Sequence, residues 1–196
     1  MAVIDYMDLV QPIKIKEQLG EFLGSFDECI DIGYLDIVKY AGHSCPTVAS
    51  AFISIKYALE NIYKEDIPFR GDIEVFAKNG RDVGVNGVIS NVFSFVTGAR
   101  ESDGFKGIGG KFNRSNLLHF DSDIKSEYKI LSLSLEKSVE FDISLSLVPF
   151  NPEMNKYLTL ALNGGDKEDQ REFMRLWQER VKAVLRSNPD DICKIY

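Results

Sequence analysis

The chain has few of the side chains that most metal, redox and disulfide chemistry needs: three cysteines, two histidines and one tryptophan in 196 residues. Cys29, Cys45 and Cys193 are too few and too far apart for a disulfide framework, and they read as reduced thiols of a cytoplasmic protein. The sequon Asn113-Arg114-Ser115 is then an accident of composition. No apolar run approaches the ~20 residues that span a bilayer. The opening Met1-Ala2-Val3-Ile4-Asp5 lacks the basic and apolar regions of a secretory signal. Positive charge is not in excess either. A net charge of −7 argues against nucleic acid, whose protein partners carry a basic stripe. The expected partners therefore include neither nucleic acid nor a membrane.

Several catalytic signatures are also missing. No Gly-x-Ser-x-Gly supplies a nucleophile elbow for a serine triad. A phosphate loop ending at Gly110-Lys111 needs glycine where Phe105 stands and a hydroxyl residue where Phe112 stands. Gly107-x-Gly109 lacks the third glycine of a dinucleotide fingerprint. Lys106, Lys111 and Arg114 keep the chemistry to hold an anion beside backbone amides. The glycine-rich stretch 98–116 reads more simply as a long loop, a mobile lid or plain surface.

What is present is a clear alternation of elements, and 44% hydrophobic residues suffice for a sizeable core. Ile15, Leu19, Phe22, Leu23, Phe26 and Ile30 predict an amphipathic helix over about 12–30. Val48, Phe52, Ile55, Leu59 and Ile62 predict another over 46–64. Ile73, Val75 and Ala77 alternate as a strand does, and Val88 to Val96 suits either a strand or a buried helix. Leu117 to Phe120 reads as a short strand. Leu131, Leu133 and Leu135, then Val139 through Leu147, alternate with polar residues and predict an antiparallel hairpin turning at Glu136-Lys137-Ser138. Helices follow at about 152–162 and 166–187. The whole is an α+β fold, a mostly antiparallel sheet packed with helices. Residues 1–150 form the expected core, and 151–196 a helical extension packed on that core or on a partner subunit.

The most informative feature is Gly42-His43-Ser44-Cys45-Pro46. Proline suits the first position of a helix, which puts Cys45 at a helix start, where the positive end of the dipole favours a thiolate. A thiol and an imidazole two positions apart suit a metal such as zinc, or a reactive thiol with its base. His119 shares a strand-like stretch with Asp121 and Asp123, which alternation would place on one face. His43, Cys45 and His119 are therefore the candidate metal ligands. Only three such donors leave an open position for water or a small ligand. If the site is catalytic, the metal acts as Lewis acid or water activator, with Asp121 or Asp123 as base.

The Gly42–Pro46 motif, the amphipathic segment after it, Arg70-Gly71-Asp72-Ile73-Glu74-Val75 and Val96-Thr97-Gly98 resemble the FmdE-like family, the E-type component of formylmethanofuran dehydrogenase, over roughly residues 38–120. The resemblance implies an α+β core, a metal at the His-x-Cys turn and a homodimer. It carries over to His43 and Cys45. The positions of the family's second cysteine and its aspartate fall on Val88 and Asn91, and Ala99 follows Gly98 where the family often has a further cysteine. This chain has no cysteine cluster for the family's zinc ribbon. The leading expectation is a metal-binding cytoplasmic protein of this type, holding zinc or another divalent transition metal. Its alternatives are a metal-free accessory or interaction subunit of a redox complex, and a thiol-based redox protein using Cys45.

Overall fold

A computed structural model describes residues 9–196; the Met1–Asp5 stretch, where a secretory signal would begin, lies outside the described residues. The elements in chain order are β1 (Ile13–Lys16), α1 (Gln18–Phe22), β2 (Cys29–Ile32), α2 (Tyr34–Ala41), α3 (Pro46–Tyr63), β3 (Ile73–Ala77), α4 (Asn86–Thr97), β4 (Leu118–His119), β5 (Tyr128–Ser132), β6 (Lys137–Ile143), α5 (Met154–Leu162), α6 (Lys167–Arg186), α7 (Pro189–Ile192) and β7 (Cys193–Ile195). β1 and β2 form an antiparallel ribbon, and the remaining strands form a sheet in the order β4-β3-β5-β6-β7. Within this sheet only β3 and β4 run parallel, joined across α4 and the glycine-rich loop. The fold is α+β.

The stripe from Val48 to Ile62 does form α3, but α3 is buried on far more than one face. Along it only Glu60 is exposed. Ala49, Ser50, Ala51, Ser54 and Ala58 keep it thin enough for neighbours on several sides: α2, α4, α6 and α7, and the strands β5, β6 and β7. On the sheet, Ile73, Val75, Ala77, Ile130 and Phe141 point into the same core. Phe93 meets Tyr128 and Phe141 edge-on there, at 5.2 and 6.0 Å between ring centres. After residue 150, Val181, Val184, Leu185, Ile192 and Cys193 join that one core, and β7 extends the sheet by pairing with β6.

Two sequence expectations are corrected. Residues 12–30 are not one helix: Ile13 and Ile15 are buried strand residues of β1, while Phe22, Leu23 and Phe26 are more than half exposed. The stripe mixes core with surface, and α1 ends before Gly24, which has a left-handed backbone at φ +73°. Tyr34–Ala41 form α2, closed by Gly42 in the left-handed conformation at φ +75°. The hairpin turns at residues 133–136, earlier than predicted, because Ser132 pairs with Lys137 and Leu131 with Ser138. The cause is buried Asp72. It accepts bonds from Tyr63 Oη (2.6 Å), Ser132 Oγ (2.6 Å), Ser134 N (2.7 Å) and Ser134 Oγ (3.0 Å), which pulls the chain out of the ladder. The ambiguous segment from Val88 to Val96 lies in α4.

One buried carboxylate joins four parts of the chain. Glu17, between β1 and α1, accepts Arg70 Nη1 at 2.9 Å and Arg114 Nη2 at 2.6 Å. Arg70 also donates from Nε to Val96 O at 3.0 Å and from Nη2 to Phe95 O, carbonyls at the negative end of α4. Burial pulls the Arg114 guanidinium below its ordinary range, and the Glu17 charge opposes that shift. The ribbon, the approach to β3, the end of α4 and the end of the glycine-rich loop are thus held together.

Glu17→Gln would leave two guanidiniums facing each other without a counter-charge, and is expected to cost about 3–5 kcal/mol in urea unfolding. A second expectation concerns pH. Burial pushes the Cys193 thiol up to about 12 from an ordinary 9.0. The unfolded chain therefore releases this proton first, so the stability it contributes is constant below about pH 9 and lost as pH rises towards 12. Burial raises Tyr63 and Tyr128 in the same direction. Equilibrium unfolding followed from neutral to alkaline pH should show a flat stability that then declines.

Candidate functional site

The Gly42–Pro46 turn links α2 to α3 and is gripped from three sides. Gly42 ends α2 with its N–H on Val38 O at 2.9 Å. Cys45 is the N-cap of α3 in extended conformation, with Pro46 at the first helical position. Its Sγ accepts the Val48 N–H at 3.4 Å, which satisfies one of the free amides of the helix start. Ser44 Oγ bonds Tyr34 Oη at 3.0 Å, and Ser44 O accepts the indole N–H of Trp177, on α6, at 2.9 Å. Ser44, Cys45 and Pro46 are buried.

Gly42 and His43 are exposed, and His43 carries the one exposed ring of the turn. Its Nδ1 lies 3.0 Å from Ala41 O. A carbonyl only accepts, so Nδ1 carries the proton in this bond and the neutral ring keeps its lone pair on Nε2. This is the arrangement of a metal-binding imidazole, whose second nitrogen is fixed by a backbone carbonyl. Nitrogen and sulfur are donor types that suit zinc, and two donors are half of what a four-coordinate shell requires. Among the described residues no three His, Cys, Asp or Glu side chains gather into a metal-holding group.

His119 stands elsewhere. In β4, Leu118 pairs with buried Val75 and turns inward, so His119 points to the outer face of the sheet, away from α3. There it stacks on Phe76 at 4.7 Å and 18°, with Nε2 3.6 Å from Glu74 Oε1. The strand ends at His119, and Asp121 has a left-handed backbone at φ +52°. Alternation therefore stops before the two aspartates. Asp121 instead lies with Asp82 around Gly80. Val88 and Asn91 are exposed on α4. Cys29 is in β2 and Cys193 in the core.

The glycine-rich loop does not gather its cations. Lys106 and Lys111 are exposed, whereas Arg114 is turned inward onto Glu17. The residues that hold the His43/Cys45 turn in place, Tyr34 and Trp177, gave no signal in the sequence. Trp177 is separated from Ser44 by 133 positions, so no spacing rule could connect them.

Cys45→Ser keeps a side-chain acceptor at the cap and should leave stability nearly unchanged, whereas Cys45→Ala should cost about 1 kcal/mol. Trp177→Phe removes the donor to Ser44 O and should cost a similar ~0.5–1.5 kcal/mol. Thermal and urea unfolding of the three variants read both effects.

Set against known proteins, the chain matches no protein-family model and no curated protein.

Proposed function

We propose that this is a cytoplasmic metal-binding protein of the FmdE-like, formylmethanofuran dehydrogenase type, in which His43 and Cys45 hold a zinc ion or another divalent transition metal. The observation that carries this reading is the exposed His43 ring, its Nδ1 tied to Ala41 O, two residues from a cysteine at the start of α3. His119 is left out of the ligand set because its ring stands on the outer face of the sheet. The remaining coordination positions belong to water or to a small ligand. A zinc ion in such a site supplies Lewis-acid chemistry. The chain's own contribution is positional: the Ala41 carbonyl orients the imidazole, and Tyr34 and Trp177 fix the backbone between the two donors. The proposal includes the homodimer that the resemblance implies.

A second reading is favoured by how many contacts the turn already makes without a metal. In it, Cys45 serves as the cap of α3, and the protein is an accessory component of a redox complex. A thiol enzyme draws less support, because Cys45 is only 8% exposed and its sulfur is engaged with the Val48 amide.

Metal content by mass spectrometry separates these readings. Close to one equivalent of zinc per chain is expected. His43→Ala and Cys45→Ser should lose it while remaining folded, and His119→Ala should retain it. Native protein that takes up no zinc on incubation would overturn the metal reading and select the accessory role.

A further inference from the structure

One face of the molecule carries an unusual set of exposed apolar side chains. Phe22, Leu23 and Phe26, from the end of α1 and the turn after it, are 62, 58 and 54% exposed. Phe105 and Ile108, in the glycine-rich loop, are 45 and 43% exposed. The two segments are neighbours: the Phe22 and Phe112 rings meet at 5.1 Å, and Glu17, just before α1, pairs with Arg114 at the end of the loop. Together these five residues leave roughly 500 Å² of surface open, taking ~200 Å² for a whole large residue. That is at the upper end of what a monomer leaves uncovered.

The charges around this patch are divided. On the α1 side, Glu21, Asp27 and Glu28 are exposed, and Glu28 is answered by Lys16. On the loop side, Lys106 and Lys111 are exposed and no acid lies between Gly104 and Phe112. Glu21, Asp27, Lys106 and Lys111 form no ion pair among the described residues. A partner of uniform sign, such as an anionic membrane or a nucleic acid, would be repelled by one half of the face. A two-fold axis between the halves sets each acidic half against the basic half of the other copy, with the phenylalanines between them. We infer that this face is the contact surface between two copies of this chain, with Phe22, Leu23, Phe26, Phe105 and Ile108 at its centre. A standard interface covers about 800 Å² per partner, so the patch with its charged rim is of the right size.

The inference rests on the dimer of the proposed reading and is independent of the metal. Sedimentation of the full chain, with and without zinc, tests it. A concentration-dependent dimer is expected in both conditions. Phe22→Asp with Phe105→Asp should give a monomer with an unchanged circular dichroism spectrum and unchanged zinc uptake. Glu21→Lys with Asp27→Lys should weaken the dimer roughly tenfold or more, and adding Lys106→Glu and Lys111→Glu should restore it. This second series changes only exposed charges, so it remains informative if the aspartate variants do not fold. Wild-type protein that stays monomeric throughout overturns the inference and leaves the metal reading intact. So does a dimer that both sets of variants leave unchanged. A dimer that takes up no zinc sinks the metal reading and leaves the surface standing.

Discussion

Helix α3 has almost no solvent face, and the rest of the molecule is arranged around that constraint. A helix buried on most sides must be covered by several elements, and each must approach closely. The small residues Ala49, Ala51 and Ala58 permit this, while Phe52 and Ile55 fill the spaces between layers. The sheet covers one flank, α2 and α4 another, and α6 with α7 a third. The helical segment after residue 150 therefore closes the core around α3. The start of such a helix is a demanding place, because its first amides are buried with it. Cys45 and Pro46 answer that demand, one by accepting an amide and the other by lacking one.

The same constraint shapes the candidate site. The turn before α3 is held by Tyr34 from α2 and by Trp177 from α6, so it is rigid on its buried side and free only at the His43 ring. The ring itself is oriented by the bond between its Nδ1 and Ala41 O. Far from this turn, the Glu17 carboxylate does comparable work by fastening the glycine-rich loop to α1. It thereby fixes the relation between the two apolar segments that flank the ion pairs.

Much of this was legible in the sequence, and the failures have physical causes. The period of α3, the strand at Ile73–Ala77, the Cys-Pro helix start, the short helix α5 and the long helix α6 were plain from spacing. Over residues 12–30 hydrophobicity and burial part company, because Phe22, Leu23 and Phe26 are large and apolar yet lie on the surface. α2 spans eight residues and offered too few turns to establish a period. The direction of His119 depended on which face Leu118 gave to the core. That is decided by pairing with β3, some forty residues earlier in the chain. The bond from Trp177 to Ser44 is a tertiary fact with no local precursor.

That bond has an optical consequence. Trp177 is the only tryptophan in the chain, and its indole N–H ends on the backbone between His43 and Cys45. Indole emission is sensitive to loss of its hydrogen-bond partner and to access of water. The tryptophan component of the unlabelled protein's fluorescence therefore originates beside one turn. Any ion, ligand or neighbouring molecule that disturbs the turn should change the colour or the yield of that light.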